Sequence, residues 1–262
     1  MNSKSWRRYL NAWVALVGGL VLGLQHGGAL AKDQLREELH RTYPLAAAGR
    51  VELANVNGKI VIATWDRDEV KVDAVKQAKN QADLESVTIE IEAKPEAIRI
   101  KSKYPDSKRS NSSSVDYTVT VPRAAQLDKI SNVNGAVEID GVRGAVHAST
   151  VNGVLKATGL TQNAELSSVN GAVQASFDRV DAVKTISLKT VNGKTTLALP
   201  EGADADVTAH TVNGRISTEQ PLTVKKRWPL GSDLSGTLGK GGTHIELSTV
   251  NGAIAIERRT AR

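Results

Sequence analysis

The chain has 262 residues, with 34 Lys plus Arg against 28 Asp plus Glu, nine aromatics and no Cys. The lack of Cys excludes a disulfide scaffold, a thiol catalyst, a Cys-ligated metal and a lipid-modified N-terminal Cys. Lys4, Arg7 and Arg8 supply half of the net charge of +6, leaving 31 basic against 28 acidic residues beyond them, a balance that does not point to nucleic acid.

Those three basic residues form the positive start of a secretory signal. Ala12 to Leu24 is its apolar stretch, and Ala29-Leu30-Ala31 supplies the small-residue cleavage pattern, which predicts a signal peptide over 1–31 cut between Ala31 and Lys32. The apolar run is short of the roughly 20 residues of a spanning helix; the alternative is an uncleaved N-terminal anchor. Residues 32–50 are expected to cap the fold. Within them Asp33 to Tyr43 fits either a short helix with Leu35, Leu39 and Tyr43 on one face or a strand.

Residues 51–130 read as a first coil followed by an irregular, strand-rich insertion. Alternating apolar residues predict strands at 70–75, 87–93, 97–102 and 115–121, with a turn at Trp65-Asp66-Arg67-Asp68 and a polar, Ser-rich, mobile loop from Tyr104 to Ser114.

From 131 to 258 the chain repeats itself. Val-Asn-Gly occurs seven times in all, placing Asn57-Gly58, Asn134-Gly135, Asn152-Gly153, Asn170-Gly171, Asn192-Gly193, Asn213-Gly214 and Asn251-Gly252 at spacings of 77, 18, 18, 22, 21 and 38. The 38 reads as two coils, one of which has lost its motif between Pro221 and Gly242. Three and five residues after each Asn stand mostly apolar residues, such as Leu155 and Ala157, with polar ones such as Lys156 between. Six and four before it the pattern recurs, as in Ala164 and Leu166 around Glu165. Period two marks strands with one buried face. Asn-Gly between them predicts a corner whose residues tolerate φ > 0, and if the motif Val is buried the chain must bend there. Units of this length bury their apolar faces by stacking. The expected fold is therefore all-β: a right-handed, single-stranded β-solenoid of about 18–22 residues per coil, with the Asn side chains in a ladder along one edge. A stack of meandering hairpins is the alternative. The charged C-terminal end, with a basic tail over 259–262, is expected to protect an open strand edge.

The segments Val51-Glu-Leu-Ala-Asn-Val-Asn-Gly-Lys-Ile60, Trp65-Asp66-Arg67-Asp68-Glu69-Val70 and Tyr117-Thr-Val-Thr-Val-Pro122, followed by serial Val-Asn-Gly units, resemble the bacterial "putative adhesin" β-solenoid family of unknown function, and more distantly the head domains of autotransporter adhesins. The resemblance spans about 45–257. It implies an exported, envelope-associated domain and carries no catalytic residues to transfer.

The residues themselves agree with a non-catalytic module. His147, His210 and His244 fall at different positions relative to their motifs, so they do not converge as metal ligands. The acidic groups Asp66/Asp68/Glu69, Asp178/Asp181 and Asp204/Asp206 sit in turns. No cofactor is implied. The reading is an exported module, periplasmic or otherwise secreted or on the cell surface, that contacts an unidentified envelope protein or surface ligand, with Trp228 as a candidate contact. The alternative is a β-helical polysaccharide lyase or hydrolase with carboxylates on adjacent coils.

Overall fold

The computed structural model describes residues 34–105, 112–226 and 231–259. Ala31 and Lys32, Trp228, the centre of the Ser-rich loop and the tail from 260 lie outside them. The described chain begins with β1 (Leu35–Pro44), so the segment that suited helix or strand is a strand. Then come β2 (Arg50–Ala54), β3 (Ile60–Trp65), β4 (Glu69–Ala78), the single-turn α1 (Gln81–Ser86), β5 (Thr88–Lys94), β6 (Ala97–Lys103) and β7 (Ser114–Pro122). The repeat follows as β8 (Gln126–Asn134) and β9 (Val137–Asp140), β10 (Val146–Asn152) and β11 (Leu155–Leu160), β12 (Ala164–Asn170) and β13 (Val173–Phe177), β14 (Thr185–Asn192) and β15 (Thr195–Leu199), and β16 (Ala205–Asn213) and β17 (Ile216–Thr218). The chain closes with β18 (Val224–Lys226), β19 (Ser232–Leu238), β20 (Thr243–Asn251) and β21 (Ile254–Arg258).

Each Val-Asn-Gly joins a strand of one sheet to a strand of another, so a coil has two sides. The first sheet runs β1-β4-β7-β3-β9-β11-β13-β15-β21-β17, and the second β18-β19-β16-β20-β14-β12-β10-β8-β2-β6-β5. Pairing within the repeat is parallel and in register, with Asn152 beside Asn134 and Asn170, and Leu155 beside Val137 and Val173. The apolar faces of both sheets merge in one core, to which Leu155, Val173, Ile186 and Leu188 each contribute a fully buried side chain. Alternation in the sequence produces this directly: Glu165 and Lys156 point to solvent between buried neighbours. Ser187 is an exception, a short side chain in the outward row between Glu165 and Glu246 that is itself buried.

The order of the coils departs from the order of the sequence at both ends. The first coil, β2–β3, lies between β6–β7 and β8–β9. The last, β20–β21, lies between β14–β15 and β16–β17. This corrects two expectations. The 38-residue spacing does not hide a coil without its motif; it spans β18 and β19, which lie antiparallel on the outside of β16. The charged C-terminal end does not guard an open edge either, because β21 is interior. There Arg259 pairs with Asp178, and its backbone N–H donates to the Leu199 carbonyl at 2.8 Å. The ends are managed instead by antiparallel strands on three of the four sheet margins and by a final β17 of only three residues, both of which limit further pairing.

Candidate functional site

The corner edge brings together residues that lie up to 194 positions apart in sequence, from Asn57 to Asn251. Their amides form one unbroken chain of hydrogen bonds. Asn134 Nδ2 donates to Asn57 Oδ1 at 2.8 Å, Asn152 to Asn134 at 2.8 Å and Asn170 to Asn152 at 2.9 Å. Asn192 donates to Asn170 at 2.9 Å, Asn251 to Asn192 at 2.8 Å and Asn213 to Asn251 at 2.8 Å. All point the same way, and the backbone runs a counter-directed ladder beside them, from Gly135 N to Asn152 O at 2.9 Å and from Gly153 N to Asn170 O at 3.0 Å. Stacking identical amides at the β-spacing of about 4.8 Å makes such a chain possible.

Glycine is required here for a reason other than the one anticipated. Among the corner glycines only Gly58, at φ 119°, and Gly135, at φ 145°, have a positive φ. At the other five the demand is space. A Cβ on Gly153 would lie 2.1 Å from the Gly135 carbonyl oxygen, and one on Gly171 would lie 1.8 Å from that of Gly153. The glycine column is the line along which successive backbones come nearest each other.

The motif Val is not buried, so no inward bend precedes the Asn. Alternation simply continues to the corner, and the inward residue is the one two before the Asn. From the second copy on, that position holds Asn132, Thr150, Ser168, Thr190, Thr211 and Thr249, all buried. Each donates to a glycine carbonyl of the neighbouring coil, as Thr190 does to Gly171 at 2.9 Å, Ser168 to Gly153 at 3.2 Å and Thr211 to Gly252 at 2.9 Å. This hydroxyl column was missed in the sequence, although its signal was present: an inward position that is polar in every copy. Buried polar groups need partners, and here the partner is the carbonyl that the glycine leaves accessible.

The consequence is an exposed apolar stripe. Val133, Val151, Val169, Val191, Val212 and Val250 are each between 36% and 41% accessible, and they stand one residue from the Asn ladder. In the three central coils the segments Ser131–Ala136, Ser149–Val154 and Ser167–Ala172 contain no charged residue, so Ser, Val, Asn and Gly form parallel uncharged rows.

The other candidates do not assemble. Among the described residues no group of three His, Asp or Glu could hold a metal. Asp66 binds Arg123 at 2.6 Å, and that guanidinium holds its carboxyl below the usual range. Asp206 accepts Thr237 Oγ1 at 2.8 Å and Gly242 N at 3.2 Å, which lower it likewise. Asp204 accepts Lys240 N at 2.7 Å. These carboxylates tie down turns. The described aromatics are also engaged: Trp65 Nε1 donates to Glu69 O at 2.7 Å, Tyr117 shares a hydrogen bond of 2.7 Å with Ser102, and Phe177 is in the core. No described helix is long and apolar enough to cross a membrane.

The model of the Toastrack DUF4097 family matches residues 111–257, more than half of the chain. No curated protein matches the sequence. Among solved structures, a "putative cell adhesion protein" from Clostridium sporogenes ATCC 15579 is similar at 14% identity over 85% of this chain and 100% of that one, with a TM-score of 0.49. A "putative adhesin" from Bacteroides fragilis NCTC 9343 is similar at 12% identity over 85% and 97%, with a TM-score of 0.40. A "putative lipid binding protein" from Parabacteroides distasonis ATCC 8503 is similar at 10% identity over 85% and 97%, with a TM-score of 0.30. At these scores the likenesses bear on neither ligand nor activity.

Proposed function

As this chain belongs to the Toastrack DUF4097 family, we propose that it serves as an exported, non-catalytic binding module of right-handed coils whose working surface is the Val-Asn edge. The observation that carries this reading is the row of six accessible valines beside a continuous amide ladder. A stripe kept apolar in coil after coil, on the outward side of strands whose other outward residues are mostly polar, suits contact with another macromolecule. The uncharged rows of the central coils and the lack of exposed aromatic platforms among the described residues favour a protein surface in the cell envelope over a glycan or nucleic acid.

The reading is tested in cells by placing a photo-crosslinking residue at Val151 or Val169, with Lys156 on the other sheet as control. Adducts with an envelope protein at the two valines and none at Lys156 are the expected result. Adducts absent from the valines would reject the surface. Recovery of the protein in a periplasmic or extracellular fraction, with an N-terminus at Lys32, tests its export.

A further inference from the structure

We propose that two copies of this chain join edge to edge through β1, antiparallel about a two-fold axis at Leu39. Among the described residues this strand is the outermost of the first sheet and pairs on one side only, with β4. Its other side therefore presents the outward-pointing N–H and C=O groups of alternate residues along a ten-residue strand.

Backbone geometry restricts how such a strand can meet its own copy. Along an antiparallel edge, residues that point their N–H and C=O outward alternate with residues that do not. Pairing of β1 with itself must set outward against outward, so the axis passes through a residue and not between two. Centred on Leu39, one face of the seam pairs Leu39 with Leu39, Glu37 with Arg41 twice, and Leu35 with Tyr43 twice. The other face pairs Glu38 with His40 twice and Arg36 with Thr42 twice. Every pair is apolar with apolar, Glu with Arg, a carboxylate with an imidazole, or a cation with a hydroxyl. Centring on Glu38 instead opposes two glutamates and sets Arg36 against His40. Centring on His40 opposes two histidines and sets Glu37 against Tyr43.

The packing inside one copy agrees. Leu39 and Tyr43 already lie against the core, whereas Leu35 is 37% exposed and would be covered by Tyr43 of the second copy. Glu37 receives Lys76 Nζ at 2.8 Å, and Arg41 has no acidic partner among the described residues. The remaining margins do not share this property. β5 places Glu90 against Glu92 when centred on Ile91 and glutamate against itself when centred on either, and β17 and β18 have three residues each.

A chain without Cys allows a direct test. In full-length protein under mild oxidation, Leu39→Cys is expected to form a disulfide-linked dimer at least tenfold faster than Leu35→Cys, whose two copies would stand about 27 Å apart in this register. An equimolar mixture of Leu35→Cys and Tyr43→Cys is expected to cross-link as a heterodimer. By sedimentation the unmodified protein is expected to be dimeric and Arg41→Glu, which sets like charges across the seam, monomeric, with its strand content retained by circular dichroism and a thermal midpoint that no longer rises with protein concentration. A monomeric unmodified protein, a Leu39→Cys yield no greater than that of Leu35→Cys, or a dimer indifferent to Arg41→Glu would each overturn the proposal.

Discussion

Gly171 lies against Gly153 so closely that a methyl group on it would meet the Gly153 carbonyl oxygen at 1.8 Å. That contact joins two coils whose corners are eighteen residues apart in sequence, and neither glycine is in the left-handed region of backbone space. Gly171→Ala is therefore expected to destabilise by about 3 kcal/mol, because two backbones must separate to admit the methyl. Gly202→Ala is the control: φ is +73° there with nothing within 4 Å of a new Cβ, so only the conformational cost of about 1 kcal/mol applies. Denaturant titration of both variants distinguishes the two causes, and equal losses would contradict the close-approach account.

The inward hydroxyls give a second expectation. Thr190→Val keeps the shape of the side chain but removes the donor held 2.9 Å from the Gly171 carbonyl. A loss of about 1–3 kcal/mol is expected for leaving that half-buried carbonyl without its partner. Thr190→Ser, which restores what Ser168 does in the preceding coil, should recover most of it. Thermal unfolding of the pair measures the difference.

Much of this was legible beforehand. Period-two alternation located the inward faces, and Leu155, Leu166, Ile186, Leu197 and Ile254 are all buried where the spacing put them. The Asn ladder followed from seven equal tripeptides. What stayed hidden was whatever depends on which coil lies beside which. Asn213 is followed in sequence by β17 and the antiparallel β18 and β19, yet its spatial neighbour is Asn251, thirty-eight residues on. Spacing along a chain carries no trace of a later coil being placed between two earlier ones. The motif Val was misleading for a different reason: a valine in a strand reads as core, and only the polar column two positions from the Asn shows that this one faces outward.

Alkaline unfolding should report on the buried phenols at the outer coil. Burial pushes Tyr117 and Tyr104 up to about 12, while in the unfolded chain each ionises near 10. A folded pKa above the unfolded one means that the stability is intact below pH 10 and is lost as pH rises towards 12. Tyr117→Phe should flatten that decline, at the cost of the Ser102 hydrogen bond near neutrality. An unchanged slope in urea titrations between pH 10 and 12 would contradict it.

His40 acts with the same sign in a lower window. Its hydrogen bonds to Asp73, at 2.7 Å, and to Glu38 raise its pKa above 6.5, so its contribution is complete below that pH and fades as pH rises through the folded value. Glu52, lowered by Arg99, and Asp66, lowered by Arg123, act oppositely: they support the fold above the usual carboxylate range and are lost as pH falls through their depressed values. Stability should therefore peak between the two windows, and His40→Gln should remove the neutral-range decline alone in melts recorded from pH 5 to 9.

The order of the coils is tested most directly by paired cysteines on the valine stripe of this Cys-free chain. Val191 and Val250 stand on adjacent strands about 4.8 Å apart, within disulfide range, whereas Val212 lies beyond Val250 at about twice that distance. Val191→Cys with Val250→Cys should oxidise rapidly to an intramolecular disulfide, and Val191→Cys with Val212→Cys should not. Efficient closure of the second pair and failure of the first would mean that the coils follow the sequence, and the Asn192–Asn251–Asn213 order of the ladder would be wrong.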